Sequence, residues 1–286
     1  MTEPQKLVIE TRSKLNKLTK ILKPEEGSTF SLDVVYPINQ AALKKLSVSL
    51  LGMHLEQLNI DPKNGLDASI FLDTSAIRFP KLKKFSIKCH TIKSVYFTGD
   101  CFPVLEELNI EEPFAANQET FHLDLPNLQH VFCRSFDVVD MSDFGPSLSR
   151  CPKLKTFRSY KLWGLKKPTL VLPNLIALDI HRSDDLKGLK IWAPKVKTLN
   201  LRGCFKISEV DLLTEKPAGF SGPEYDFDGE PSEFEVNCAN TDISNGTLVN
   251  STRCSKIIRP RDDFWGNFWE SSYKNNSVGQ SVEVIS

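Results

Sequence analysis

The stretch LPNLIALDIHRSDDLKGLKIWAPKVKTLNLRGC, residues 172 to 204, repeats one spacing three times: Leu175-Leu178-Ile180, Leu186-Leu189-Ile191 and Val196-Leu199-Leu201. In an extended chain, side chains alternate between two sides, so the last two members of each trio share a side. The runs between turn residues are too short for an ordinary helix of ten or more residues and read as strands. The same spacing extends backwards through Leu154-Phe157-Ser159, Leu128-Val131-Cys133, Leu105-Leu108-Ile110, Leu82-Phe85-Ile87 and Leu43-Leu46-Val48.

Proline marks the beat. Pro80, Pro103, Pro126, Pro152, Pro173 and Pro194 each stand two residues before a Leu or Val that opens a run, at steps of 23, 23, 26, 21 and 21 residues. A proline just ahead of a strand sets a corner through its fixed φ, at a position where the missing N–H costs least. Between these runs lies a second series: Leu55-Leu58-Ile60, Ile92-Val95-Phe97, Phe121 with Leu123, Leu170 with Leu172, Leu186-Leu189-Ile191 and Ile207-Val210-Leu212. The pattern predicts two short parallel strands per turn of 21 to 26 residues and few long helices. A strand of five or six residues cannot bury its apolar side alone, so successive turns must stack into a solenoid with one continuous interior.

The segment PKVKTLNLRGC, residues 194 to 204, resembles the LxxLxLxxC signature of leucine-rich repeats. FPVLEELNI, residues 102 to 110, and CPKLKTF, residues 151 to 157, resemble the irregular Cys- and Pro-containing repeats of F-box-associated leucine-rich-repeat proteins. The resemblance covers roughly residues 43 to 212. It implies a leucine-rich-repeat-like solenoid that binds proteins, and it implies that Cys204 and Cys89 satisfy backbone groups at a strand's exit. Residues 1 to 42 contain no recognisable F-box and read as an N-terminal cap or degenerate first repeat; residues 43 to 213 form the solenoid.

If Leu178 and Ile180 point inward, Ala177, Asp179 and His181 point out. Applied to each turn, this parity displays His130, Phe132 and Arg134, then Arg158 and Tyr160, then His181 in adjacent rows. Aromatic and Arg side chains dominate binding energy at protein interfaces, so these six are the expected partner-binding residues. The alternative is that Phe132 and Tyr160 cover one another as a cross-strand pair. A second outward face would carry Tyr96, His122, Lys190 and Trp192.

Little else points to chemistry. His54, His90, His122, His130 and His181 are scattered without metal-ligand spacing, there is no GxGxxG, GxxxxGK[ST] or GxSxG, and no Cys pair has CxxC spacing. Neither metal nor small-molecule cofactor is expected, and no catalytic residue is assigned. Seven cysteines, an odd number without a framework, read as mostly buried thiols of an intracellular protein, cytoplasmic or nuclear. Lysines recur at one phase of the repeat, Lys153, Lys155, Lys195 and Lys197 among them, but a body of 30 Lys/Arg against 23 Asp/Glu over residues 1 to 210 is only mildly basic. No aromatics interleave that stripe, which speaks against nucleic acid as the partner. No apolar run is long enough to span a membrane.

From residue 214 to 286 the beat stops and composition turns acidic, rich in Pro, Gly, Ser and Asn, as in a largely disordered tail. Within it, residues 262 to 274 place Trp265, Trp269 and Tyr273 at helical spacing, as a cap for the solenoid's end or a linear motif. These features predict a non-enzymatic protein-interaction scaffold. A substrate receptor of a ubiquitin ligase lacking a recognisable F-box, and a hydrolase-type enzyme whose site no motif marks, are the alternatives.

Overall fold

The computed structural model describes residues 5–11, 13–14, 17, 29–35, 40–50, 54–61, 69–73, 77–88, 91–111, 120–137, 144–213, 215–218, 234–237, 249–250 and 254–258. The strands are β1 (Gln5–Ile9), β2 (Phe30–Val34), β3 (Leu55–Ile60), β4 (Ser69–Asp73), β5 (Lys84–Lys88), β6 (Thr91–Thr98), β7 (Glu107–Glu111), β8 (Thr120–Asp124) and β9 (His130–Asp137). They continue with β10 (Thr156–Trp163), β11 (Thr169–Val171), β12 (Ala177–His181), β13 (Gly188–Trp192), β14 (Thr198–Asn200), β15 (Glu209–Leu212), β16 (Phe234–Asn237), β17 (Val249–Asn250) and β18 (Cys254–Ile258). Helices α1 (Gln40–Leu50) and α2 (Phe144–Ser149) lie among them.

Eleven strands make one main sheet in the order β1-β2-β3-β5-β7-β9-β10-β12-β14-β16-β18, a four-stranded sheet runs β11-β13-β15-β17, and a three-stranded sheet runs β4-β6-β8. Pairing is parallel throughout, from β1 on β2 to β16 on β18. This is a mainly-β repeat solenoid, with one strand per turn in the main sheet and one, in most turns, in a second sheet. The interior is a ladder: Leu58, Phe85, Leu108, Val131, Phe157, Leu178 and Leu199 stand opposite one another in successive strands. All seven are buried to 2 % exposure or less. Each such side chain contributes about 1.5 to 3 kcal/mol by leaving water, so the ladder is the main source of cohesion between turns.

The proline corners are β-turns. The N–H of Leu82, Leu105, Leu128, Leu154, Leu175 and Val196 each donates to the carbonyl three residues back, that of Phe79, Phe102, Leu125, Cys151, Leu172 and Ala193, at 3.1 to 3.3 Å. In every one of these, proline occupies the second turn position, where its φ is already correct. The residue after proline ties turns together. Lys153 Nζ donates to Asn127 Oδ1 at 2.7 Å, and Asn127 Nδ2 donates to the Pro103 carbonyl at 2.7 Å. The arrangement recurs with Lys195, Asn174 and the Pro152 carbonyl at 2.6 and 2.9 Å. Lys155 donates to Gln129 Oε1 and Lys83 to Glu56 Oε1, both at 2.8 Å; the latter bond and its charge raise the Lys83 ammonium above its ordinary pKa. Lys83, Lys153, Lys155 and Lys195 are therefore stitches between adjacent turns.

Two expectations need correction. Leu43-Leu46-Val48 is not a strand: it lies in α1, which buries Leu43, Leu46 and Leu50 and leaves Val48 67 % exposed. Leu43, Leu46 and Leu50 stand at i, i+3 and i+7, one face of a helix, and Ala, Leu and Lys favour that form. The main-sheet strand of that turn is β3, from the Leu55-Leu58-Ile60 run assigned to the second series. Second, strand pairing does not end at residue 213: β16 pairs with β14, β17 with β15 and β18 with β16, all within residues 214 to 286. At the other end, β1 and β2 place two strands from residues 1 to 42 in the same sheet.

The single 26-residue step corresponds to α2, which takes the place of a second-sheet strand between β9 and β10 and so divides that layer into two sheets. Its Phe144 ring packs 5.2 Å from Phe121 and 5.5 Å from Phe157, carrying the interior across the gap. Ser147 Oγ donates to the Phe121 carbonyl at 3.0 Å, so the helix also satisfies β8's backbone.

Cys101, Cys133, Cys151 and Cys204 are free and buried. Burial pushes the Cys133 and Cys151 thiols up from 9.0 to about 12. Native protein should therefore leave these thiols silent to a maleimide probe at about pH 8, with full labelling only in denaturant. The same shift sets an alkaline limit. Above pH 9.0 the unfolded chain loses these protons while the folded chain keeps them, so unfolding stability should fall progressively from that pH until about 12. Rapid native labelling, or a flat stability profile over that window, would contradict the burial. Cys89 lies outside the described residues.

Candidate functional site

Parity and register bring all six expected partner-binding residues onto one face of the main sheet. On β9 they are His130, Phe132 and Arg134; on β10, Arg158 and Tyr160; on β12, His181. Phe132 stands opposite Arg158, Arg134 opposite Tyr160, and Tyr160 opposite His181. Phe132 and Tyr160 stand in different rows of adjacent strands, and the direct cross-strand neighbours of Tyr160 are Arg134 and His181.

Tyr160 is the centre of the face. The Arg134 guanidinium carbon lies 5.7 Å from its ring centroid, the Lys161 ammonium 5.7 Å and the Arg182 guanidinium carbon 5.6 Å. Each lies within the range of attraction to the ring quadrupole. Arg182 Nη1 also donates to the Tyr160 hydroxyl at 2.8 Å. Glu111 on β7 approaches Arg134 at 3.7 Å, while His181 Nε2 contacts the Asp179 carboxylate and lies 3.1 Å from Asn200 Nδ2. Asp179 is thus a partner of His181 and not a bare outward carboxylate. Arg158 is exposed and makes no ion pair among the described residues. His130 Nδ1 lies 2.8 Å from Thr156 Oγ1. Partial burial lowers the His130 pKa; Glu107 opposes this, and Lys155, Arg158 and Lys84 reinforce it. The ring is accordingly neutral at physiological pH.

Alternation alone cannot place both Tyr160 and Lys161 on the outside, nor both His181 and Arg182. The backbone does so with a left-handed step: φ is 59° at Lys161 and 50° at Arg182, with 55° at Ser135 and 73° at Gly203 in the turns on either side. Four successive turns share this step at the residue after the last outward strand position. After it, Leu162 and Ser183 point back inside, buried to 1 % and 0 %. A left-handed conformation is unfavourable for residues with a Cβ, so three of the four positions carry local strain. Among these positions only Gly203 signals such a step in sequence. Lys161 and Arg182 were accordingly missed as members of the face, whereas Arg202 follows from alternation.

The second outward face is not continuous. Tyr96 and His122 stack at 4.6 Å in the three-stranded sheet, with His122 Nδ1 3.0 Å from Arg150 Nη2. Lys190 and Trp192 belong to the four-stranded sheet across α2, and Trp192 is 8 % exposed. Cys204 Sγ donates to the Ile180 carbonyl at 3.2 Å, satisfying the backbone of the preceding turn. Trp265, Trp269 and Tyr273 lie outside the described residues. Among the described residues, no helix is long and apolar enough to cross a membrane. In comparisons with known proteins, no family model matches the chain, and neither a curated protein nor a solved structure matches it.

Proposed function

We propose that the protein is a non-enzymatic interaction scaffold that binds a partner protein through the outward face of its main sheet. The observation that carries this reading is the register of β9, β10 and β12, which gathers Phe132, Arg134, Arg158, Tyr160 and His181 on one rigid surface. Strands stacked in a solenoid hold such side chains in place before a partner arrives, which lowers the ordering cost of association. The resemblance of residues 43 to 212 to leucine-rich repeats supports the same reading. A narrower form, substrate receptor of a ubiquitin ligase, rests on the repeat resemblance alone; pull-down with adaptor proteins tests it.

Replacing Phe132 and Tyr160 together by Ser is expected to leave circular dichroism unchanged and to lower melting modestly, since Tyr160 gives up its contacts with Arg134, Lys161 and Arg182. Crosslinking in native lysate should then recover partners at least about tenfold less efficiently than with the parent chain. Undiminished capture would remove this face from the reading.

A further inference from the structure

The exits of β9, β10, β12 and β14 carry a row of cations. Arg134, Lys161 and Arg182 surround the Tyr160 ring at 5.6 to 5.7 Å, Arg202 follows in the next turn, and Arg158 flanks the row, exposed. Lys161, Arg158 and Arg202 make no ion pair among the described residues. Like charges gathered around one ring repel one another, and the ring's negative face offsets only part of that. Two of these cations also stand in a left-handed backbone conformation, with φ of 59° at Lys161 and 50° at Arg182, that glycine would adopt without strain. The left-handed step at these two positions brings their charges to the outer side beside Arg134, which Glu111 partly offsets.

We infer that this row is a docking site for a short, extended, carboxylate-rich segment of a partner protein, laid across the strands and over Tyr160. This deepens the scaffold reading and rests on it. With strands about 4.8 Å apart, the row from β9 to β14 spans about 14 Å, the reach of about four extended residues. Carboxylates complement the row, and Arg presents them a planar fork. On the side of β7 the row is bounded by Glu111, 3.7 Å from Arg134, and by Glu107, which Lys84 engages at 2.7 Å. A long polyanion continuing in that direction would meet these carboxylates, so a short acidic peptide fits the surface better than a nucleic acid.

The test is fluorescence anisotropy of the full chain with labelled Gly-Asp-Glu-Asp-Glu-Gly, beside the amide counterpart Gly-Asn-Gln-Asn-Gln-Gly and a single-stranded oligonucleotide. The acidic peptide should bind with Kd below about 1 mM and weaken as salt rises. The Lys161→Gly, Arg182→Gly double variant should bind it at least about tenfold more weakly, without a lower melting temperature, because glycine suits both positions. Arg158→Gln, at an exposed position, gives a second reading of the charge dependence. Absence of saturation, equal binding of the amide peptide, unaltered binding by both variants, or tighter binding of the oligonucleotide would each overturn the inference. If acidic peptide binding fails while Phe132→Ser, Tyr160→Ser still loses crosslinked partners, the face binds protein and only the acidic chemistry is wrong. If both fail, the scaffold reading falls with it.

Discussion

Phe157→Ala is expected to lower the unfolding free energy by about 3 to 5 kcal/mol and Leu178→Ala by about 2 to 5, while Arg158→Ala changes it by less than about 0.5. Phe157 is fully buried on β10, its ring in edge contact with Phe144 of α2 at 5.5 Å and its backbone opposite Val131 and Leu178. Removing it empties a site walled by main-sheet strands on two sides and a helix on a third, which cannot collapse without parting turns. Arg158, one residue along, faces solvent. Denaturant unfolding of the variants measures the difference. Because each turn packs mainly on its neighbours, hydrogen exchange should show protection falling first in β9, β10 and β12, and later in β5. Similar losses at 157 and 158 would mean that the assignment of inner and outer faces is wrong. Asp179 is a poor outward control for Leu178, since its carboxylate contacts His181.

The second large effect is Gly145→Ala, with an expected loss of about 3 kcal/mol, near the upper end of ordinary overpacking. A Cβ built on Gly145 would lie 2.2 Å from the Thr169 carbonyl oxygen and 3.3 Å from its carbon. Those are backbone atoms at the start of β11, so relief requires separating α2 from that strand. The sign is informative. Helix propensity alone would make Ala the better residue by about 1 kcal/mol, so a stabilised variant would show that α2 does not press on β11. A destabilised variant with normal main-sheet protection around β5 and β7 would locate the damage at the seam between the two smaller sheets.

Much of one turn is legible without neighbours. Leu175-Leu178-Ile180 predicts a strand because alternation is a property of the extended chain, and Pro173 predicts a corner because its φ is set by its own ring. The structure bears out both, with the Leu175 N–H closing a turn on the Leu172 carbonyl at 3.1 Å. The first apolar trio, Leu43-Leu46-Val48, misled because its last step of two matches a strand's alternation, whereas Leu43, Leu46 and Leu50 share one face of a helix and the residues 40 to 50 around them favour it. The acidic composition past residue 213 hid β16, β17 and β18, and the pairing partners of β16 and β17 lie 37 and 39 residues earlier.

What the sequence by itself determined is the repeating unit: a solenoid of short strands, which side of each strand is buried, and the six outward residues that share a face. All of these follow from periodicity within a turn. Only the tertiary structure decided which of those residues meet. Parallel register sets Tyr160 directly opposite Arg134 and His181, and the left-handed step shared by four turns brings Lys161 and Arg182 out beside it. Nothing local dictates either, because a Lys or Arg disfavours positive φ and register is a relation between chains of contacts in different turns. The stacking of one turn on the next is what holds both in place.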